Sequence, residues 1–293
     1  MERTANLRNR AATRKKTAVN ITFLVFMTLL GLILIFPYFY MAMRSLMTGA
    51  EIIDPTIKII PSSPQFNNYI WIFTEGGYLR ALVNTMIIIA FNVVAVPVSA
   101  SLVAFSFAKL KWYGRNFMFA VMLGTIMLPG IVTQIPLFVI YSRWFKWLNT
   151  LWPFTVPSLF GGGAFAIFLV RQFMLGIPKE LDEAAKVDGA NVFMRYLLIT
   201  MPLCKTILIY LAVTTFIGCW GDYYGPLVYM ISAKSPFTLA FIVFRDSVNS
   251  EQAAYLANFR MAGGVVMTVP PLILFALFQR QLIDGVATMG IKG

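Results

Sequence analysis

The chain contains no histidine, and only 12 of its 293 residues are Asp or Glu. Without histidine the commonest general base, proton shuttle and metal ligand is missing, which argues against an enzyme in its own right. Cysteine is nearly as scarce. Cys204 and Cys219 lie in one apolar stretch, about four helical turns apart if it is helical and too far for a disulfide, so they say nothing of redox compartment. Charge of either sign is thin: 12% of residues are charged against 59% apolar, about half the charged share of soluble domains. A water-soluble globule is excluded.

What charge there is leans positive, with Lys+Arg at 24 and a net charge of +12. In a soluble chain this balance suggests nucleic acid. Here the basic residues flank long apolar runs, which assigns them to a membrane surface and leaves no nucleic-acid partner.

A helix crossing the hydrocarbon needs about 20 mostly apolar residues. Charge-free runs of that length lie at Thr17 to Met43, Ala81 to Ala108, Asn116 to Ser142 and Trp147 to Val170. A fifth follows Lys205, is interrupted at Asp222 and stays apolar to Ile231; a sixth lies between Arg260 and Arg280. The first run has a basic leader, Arg8 to Lys16, but is far longer than a signal h-region and carries no small-residue cleavage site before Arg44; it reads as an uncleaved span. With a cytoplasmic amino terminus, the inner segments hold sixteen of the 24 basic residues while the acids split six and six, so both termini are expected inside. Tyr38 and Tyr40, Trp144, Trp147 and Trp152, and Trp112 with Tyr113 fall at span ends, the depth that amphipathic rings prefer.

Nearly every span carries proline: Pro37, Pro97, Pro129, Pro136, Pro153, Pro157, Pro226, Pro270 and Pro271. Each removes a backbone donor, so kinked helices are expected. Polar groups within the spans are few and uncharged, chiefly Asn84, Asn92, Ser99, Ser101 and Gln134, while Gly161, Gly162 and Gly163 permit close helix approach. Ion-coupled carriers bury charged groups near the midplane. Their absence points to energy arriving from another subunit and to a lining suited to a hydroxyl-rich solute, although Asn84 and Asn92 also read as interhelical hydrogen-bond partners.

One segment follows a different grammar. Between the fourth and fifth spans, Arg171 to Leu203 predicts a short helix: Pro178 for its first turn, Glu180, Asp182 and Glu183 at the positive end of the dipole, and Gly189 as a stop. Asn191 can cap a second helix running into the fifth span. Leu181, Ala184, Ala185 and Asp188 share one shallow face. So short a helix needs a docking surface, and its acids disfavour the bilayer, which suggests a groove in a soluble partner. Asp182 and Lys186 read as a solvated pair.

Glu183-Ala184-Ala185, three residues, Gly189, nine residues, Ile199, one residue, Met201 and Pro202 resembles the EAA-x3-G-x9-I-x-L-P signature of permease subunits of bacterial ABC importers, with Met201 where leucine is usual. FLVRQF from Phe168, WGDYYGPLVY from Trp220, and the terminal FQRQLIDGVATMGIKG, with departures at Met289 and Ile291, are similar to the smaller permease subunit of the maltose-permease-like carbohydrate importers. The similarity covers roughly Tyr69 to Gly293.

The resemblance implies an all-α polytopic protein: a basic tail (1–16), a first span (17–43), an extracytoplasmic loop (44–80), a six-span permease completed over 81–281 with a cytoplasmic coupling segment at 178–203, and a tail (282–293). It also implies partners: a second homologous permease, two cytoplasmic ATPases that bind ATP and Mg, an extracytoplasmic solute-binding protein, membrane lipid and a sugar. No cofactor, metal or catalytic residue is expected in this chain. ATPase coupling falls to Leu181, Glu183, Ala184, Ala185, Asp188, Gly189, Ile199 and Pro202. Glu183 is expected to make a charged or capping contact, Ala184 and Ala185 to keep the face low, and Gly189 to allow a turn that a side chain would obstruct. The tail from Met289 to Gly293 is a further candidate ATPase contact, and Asp222 to Arg260 a candidate surface for the binding protein. Asn84, Gln134, Tyr141, Trp220 and Tyr224 are candidates for the solute pathway by polarity and stacking potential. Two rivals stand: an ion-coupled carrier or channel for a polar solute, and a membrane-embedded enzyme.

Overall fold

The computed structural model describes residues 2–56, 59–248 and 256–290, with 2–16, 18 and 284–290 given by backbone alone. All regular elements among them are helical. The chain divides into two compact units, Met1–Tyr69 with Glu251–Val265, and Ile70–Ser250 with Val266–Gly293.

The first unit is dominated by α1 (Glu2–Ser45), which at 1.5 Å per residue is about 66 Å long, roughly twice the hydrocarbon thickness. The basic segment therefore continues the helix of the first span without a break. The span's most apolar stretch, within Val19–Ser45, has no buried residue on this chain, as befits a surface facing lipid or another subunit. Two short helices follow, α2 (Gly49–Ile53) and α3 (Asn67–Thr74). Thr48 and Glu51 form a capping box at the start of α2. The N–H groups of Thr48 and Ser62 both donate to the Glu51 carboxylate (3.0 and 2.9 Å) and hold its pKa down at about 2. A buried polar knot ties the segment after α1. Asn68 Nδ2 donates to the carbonyls of Ser45 and Met47, and Asn258 Nδ2 donates to Met47 O and Asn68 Oδ1.

In the second unit α4 (Tyr78–Lys109) is the central helix. Its small residues Ala100, Ser101 and Ala104 are fully buried, which lets α8 (Ala164–Leu175) and α12 (Lys205–Gly221) approach closely. Val96, Phe105 and Phe107 of α4 join Ile167, Leu169, Val170 and Met174 of α8, and Ile207 and Leu211 of α12, in one core. The polar residues of α4 serve the same packing. Asn84 Nδ2 donates to Phe237 O, Asn92 Nδ2 to Phe154 O, Ser99 Oγ to Ser158 O, and Ser101 Oγ pairs with Tyr196 Oη. In lipid an unpaired amide or hydroxyl costs several kcal/mol (about 2–7); these pairings remove that cost.

Three predicted spans are not single straight helices. The third consists of α5 (Arg115–Ile126) and α6 (Gly130–Val139) with a π-helical turn to Trp144, bent by 99° at residues 127–129. Pro129, with no N–H and an extended backbone, starts α6 and forces the corner. The fourth begins with α7 (Trp152–Thr155) and a 3-10 turn, then is interrupted before α8 by Gly161, Gly162 and Gly163, all at positive φ. Those glycines therefore break the helix as well as allow approach: a Cβ on Gly162 would lie 2.6 Å from Val96 Cγ1. The segment expected to run into the fifth span instead turns by 75° at Cys204, between Val192–Leu203 and Lys205–Gly221. Among the described residues four helices are long and apolar enough to cross a membrane, and up to six when each bent pair counts as one span.

Between α8 and α12 lie α9 (Lys179–Val187), α10 (Val192–Arg195), a π-helical turn over Tyr196–Thr200 and α11 (Met201–Leu203). After α12 come α13 (Tyr224–Tyr229), α14 (Leu239–Val248) and α15 (Ala257–Gly290), which continues well past Arg280.

Candidate functional site

The short helix predicted from the acids and Gly189 is α9. Pro178 stands just before it as the cap, Glu180 and Asp182 occupy its first turn and Lys186 its last. The N–H of Ala190 reaches back to Ala185 O (2.9 Å) and that of Gly189 to Lys186 O (3.1 Å), a closure that needs a left-handed residue at Gly189, whose φ is +82°. A Cβ there would meet nothing within 4 Å. The obstruction expected from a side chain is thus a matter of backbone strain and not of space.

The predicted docking face splits in two. Leu181, Glu183, Ala184 and Asp188 are exposed, but Ala185 is buried against its own chain. Asp182 departs further from the solvated pair expected of it. Its Oδ2 accepts from Lys186 Nζ at 3.1 Å and from Arg195 Nη1 at 2.7 Å, and Arg195 is the one charged side chain among the described buried residues. The carboxylate therefore pins α9 to α10, where Asn191 Oδ1 accepts the Met194 N–H as the predicted cap. The second half of the motif lands on irregular helix: Ile199 sits in the π-helical turn and Pro202 in α11, just before the bend at Cys204. Such turns concentrate at functional hinges.

Among the pathway candidates, Gln134 and Tyr224 come together: Tyr224 Oη donates to Gln134 Oε1 at 2.7 Å on an exposed surface. Tyr141 is buried, edge-on to Tyr229 and tilted against Trp147. Asn84 is committed to Phe237 O. Trp220 is 3% exposed, and its indole N–H donates to Met267 O at 2.8 Å, so it is a strut between α12 and α15. Near this group a cavity of about 250 Å³ is lined by Phe154, Cys219, Asp222, Tyr229 and Thr238 among others. Asp222 Oδ1 accepts the Gly225 N–H at 2.8 Å.

Sequence reasoning missed Arg195 as a site residue, and Phe154, Tyr229 and Asp222 as cavity walls. Arg195 looked like one more inner-loop cation; nothing in the linear pattern marks it as buried. Asp222 was legible as the lone acid interrupting an apolar run. Of the Met289 to Gly293 tail, residues 291–293 and the side chains of 289–290 lie outside the described residues, as do 249–255 within the stretch from Asp222 to Arg260.

A bundle of broken apolar helices around α4, with a pinned, partly exposed short helix between two of its candidate spans, is the architecture of a multi-pass helical membrane protein. The chain belongs to the family of binding-protein-dependent transport system inner membrane components, whose model matches residues 95–288. It is a permease subunit of an ABC importer. The arabinooligosaccharides transport system permease protein AraQ of Halalkalibacterium halodurans is 30% identical, covering 90% of this chain and 93% of that protein. The sn-glycerol-3-phosphate transport system permease protein UgpE of Brucella melitensis is also 30% identical, covering 88% and 92%. The galactooligosaccharides transport system permease protein GanQ of Bacillus subtilis is 27% identical, covering 90% and 92%. A crystal structure of a bacterial ABC transporter involved in import of the acidic polysaccharide alginate shares the fold with a TM-score of 0.79 at 20% identity, over 91% of this chain and 97% of that one. A second, of an alginate transporter in complex with a periplasmic protein carrying an alginate pentasaccharide, gives a TM-score of 0.62 at 17% identity, covering 89% of this chain and 95% of that one.

Proposed function

We propose that this chain carries an oligosaccharide across the inner membrane by alternating access, as one half of a permease pair with a second, homologous subunit. In this reading the chain makes six spans with both termini in the cytoplasm, and α9 seats in a cleft of a cytoplasmic ATPase. Two such ATPases bind ATP and Mg, and their closure rocks the permease pair; an extracytoplasmic binding protein delivers the sugar. Only a ligand with different affinity for two states shifts their balance, so the driving free energy comes from nucleotide binding at the partners. The observation that carries the reading is α9 itself: Leu181, Glu183, Ala184 and Asp188 face outward while the Asp182–Arg195 pair fixes the helix from behind. A handle must be both accessible and rigidly attached.

Support for a sugar comes from the arabino- and galactooligosaccharide permeases among the relatives, and from the exposed Gln134–Tyr224 pair, an amide beside an aromatic ring that suits hydroxyl recognition and stacking. Two measurements test it. A cysteine introduced as Ala184→Cys is expected to crosslink to the ATPase subunit and to be shielded from outside reagents. Thermal stabilisation of the reconstituted transporter with its binding protein, across a panel of neutral and uronate oligosaccharides, is expected to pick out one class. Uptake that ignores ATP depletion but follows an ion gradient would replace this reading with a secondary carrier.

A further inference from the structure

The loop between α4 and α5 has no part in the function described above, yet it is the most one-sidedly charged short segment of the second unit. Lys109, Lys111 and Arg115 fall within seven residues, and no Asp or Glu occurs anywhere between Glu75 and Glu180. Lys109 is engaged, donating to Ile177 O at 3.2 Å. Lys111 and Arg115 instead line an open cavity of about 340 Å³ together with Trp112, Gly114, Asn116 and Phe117. Arg115 is held in place by hydrogen bonds from Nη1 to Leu110 O (2.9 Å) and from Nε to Asn116 Oδ1 (3.4 Å). Among the described residues no carboxylate comes within ion-pair distance of Lys111 or Arg115. A third cation, Arg171, lies over the Phe119 ring at 3.9 Å and repels Arg115. Two cations are thus aimed into one uncompensated space.

The surroundings say where that space lies. Trp112, Tyr113 and Phe117 are exposed, and α4 and α5 carry long apolar faces immediately beyond. Amphipathic rings beside cations at the ends of spanning helices mark headgroup depth, and basic pockets between such helices on the cytoplasmic side bind anionic headgroups. The alternative, a solvated loop, leaves the Lys111 and Arg115 charges without a carboxylate partner among the described residues and the Tyr113 and Phe117 rings exposed to water.

We propose that the Lys111–Arg115 cavity is a binding site for the phosphate of an anionic phospholipid of the inner leaflet. The phosphate sits between the Lys111 ammonium and the Arg115 guanidinium, Trp112 and Tyr113 lie at the glycerol level, and the acyl chains run along Phe117. This rests on the orientation proposed above, in which the 110–114 loop is cytoplasmic.

The test is native mass spectrometry of the transporter solubilised from the membrane, titrated with phosphatidylglycerol, phosphatidylcholine and inorganic phosphate. The wild type is expected to retain phosphatidylglycerol over phosphatidylcholine. Lys111→Gln should weaken that retention about fivefold and K111Q/R115Q about 30-fold, at roughly one surface cation's worth each, while Lys234→Gln leaves it unchanged. The single Lys111→Gln variant, which removes a side chain with no hydrogen bond or ion pair among the described residues, keeps the test valid if Arg115→Gln disturbs the loop. Equal retention by wild type and both variants, or no preference over phosphatidylcholine, overturns the site. Displacement of the lipid by inorganic phosphate at equal concentration overturns it in favour of a soluble anion. A Tyr113→Cys variant separates the two readings. Labelling by a membrane-impermeant thiol reagent from the cytoplasmic side only, with no preference for phosphatidylglycerol in the wild type, sinks the lipid site alone. Labelling only from outside sinks the orientation, and the inner-leaflet site with it.

Discussion

Asp182 on α9 and Arg195 at the end of α10 form an ion pair of 2.7 Å, with side-chain exposures of 14% and 7%, across the glycine turn that separates the two helices. Together with the backbone closure at Gly189 and the buried Ala185, it fixes the direction of the exposed helix relative to the segment leading into α12. Arg195 Nε is buried with no partner of its own, so the guanidinium depends on Asp182 for most of its compensation.

Removing one partner strands the other charge, which for a buried pair costs about 3–5 kcal/mol. Arg195→Ala or Asp182→Ala should therefore lower the thermal midpoint clearly, whereas Lys186→Ala, removing a half-exposed i,i+4 partner, should cost under about 0.5 kcal/mol. The double variant D182L/R195M should regain most of the stability without regaining uptake, because the pair's role is to aim α9. Thermal unfolding beside transport and ATPase assays checks both halves. Full uptake in the double variant would reduce the pair to packing.

Gly189→Val should uncouple ATP hydrolysis from transport while membrane insertion stays normal. The cause is its φ of +82°, which costs a β-branched residue about 1–2 kcal/mol, or more. Since nothing crowds the position, Gly189→Asn, which tolerates the left-handed region, should keep most of the coupling. Equal damage from Val and Asn would show that space and not conformation decides there.

Neighbouring alanines should behave oppositely. Ala184→Trp, on the exposed side, is expected to leave the permease's unfolding free energy within about 0.5 kcal/mol of wild type while abolishing co-purification of the ATPase. Ala185→Trp, on the buried side, should overpack by about 1–3 kcal/mol and destabilise the permease itself. Co-purification and thermal unfolding of each variant distinguish the two.

Glu51 provides a pH signature. Its carboxylate is held at about 2 in the folded loop against an ordinary 4.5, first by the Thr48 N–H and then by Ser62. A lowered pKa means that the contribution to loop stability is full above about 4.5 and is lost as pH falls through about 2. Hydrogen exchange of the Thr48 and Ser62 amides should thus be slow at pH 6 and approach that of Glu51→Gln toward pH 2. Protection of these amides that is the same in Glu51→Gln and in wild type at pH 6 would remove the carboxylate from the loop's support.

Much of this was legible without coordinates. Long apolar runs located α1, α4 and α15 because a helix in hydrocarbon must satisfy its own backbone and needs no partner to be recognised. The EAA-type spacing and Gly189 located α9, because acids, proline and glycine act on the backbone within a turn of where they stand. The Asn191 cap followed for the same reason.

What failed to show was whatever depended on residues far apart. Proline marked many possible kinks, but the linear pattern does not say that Pro129 stands at a 99° corner while Pro97 stays inside an unbroken α4. Asn84, read both as a hydrogen-bond partner between segments and as a pathway candidate, has its partner 153 residues away at Phe237 O, and Trp220 has Met267 O 47 residues on; neither partner is named by the linear pattern.

The sequence by itself determined that this is a membrane transporter subunit with a short helix between its fourth and fifth apolar runs, since hydropathy, turn chemistry and motif spacing are local. Only the tertiary structure decided which polar groups are spent on holding the bundle together, and which face of α9 is left free. Burial and hydrogen-bond partnership are properties of pairs of segments, and a buried charge such as Arg195 reads no differently in the linear chain from a solvated one.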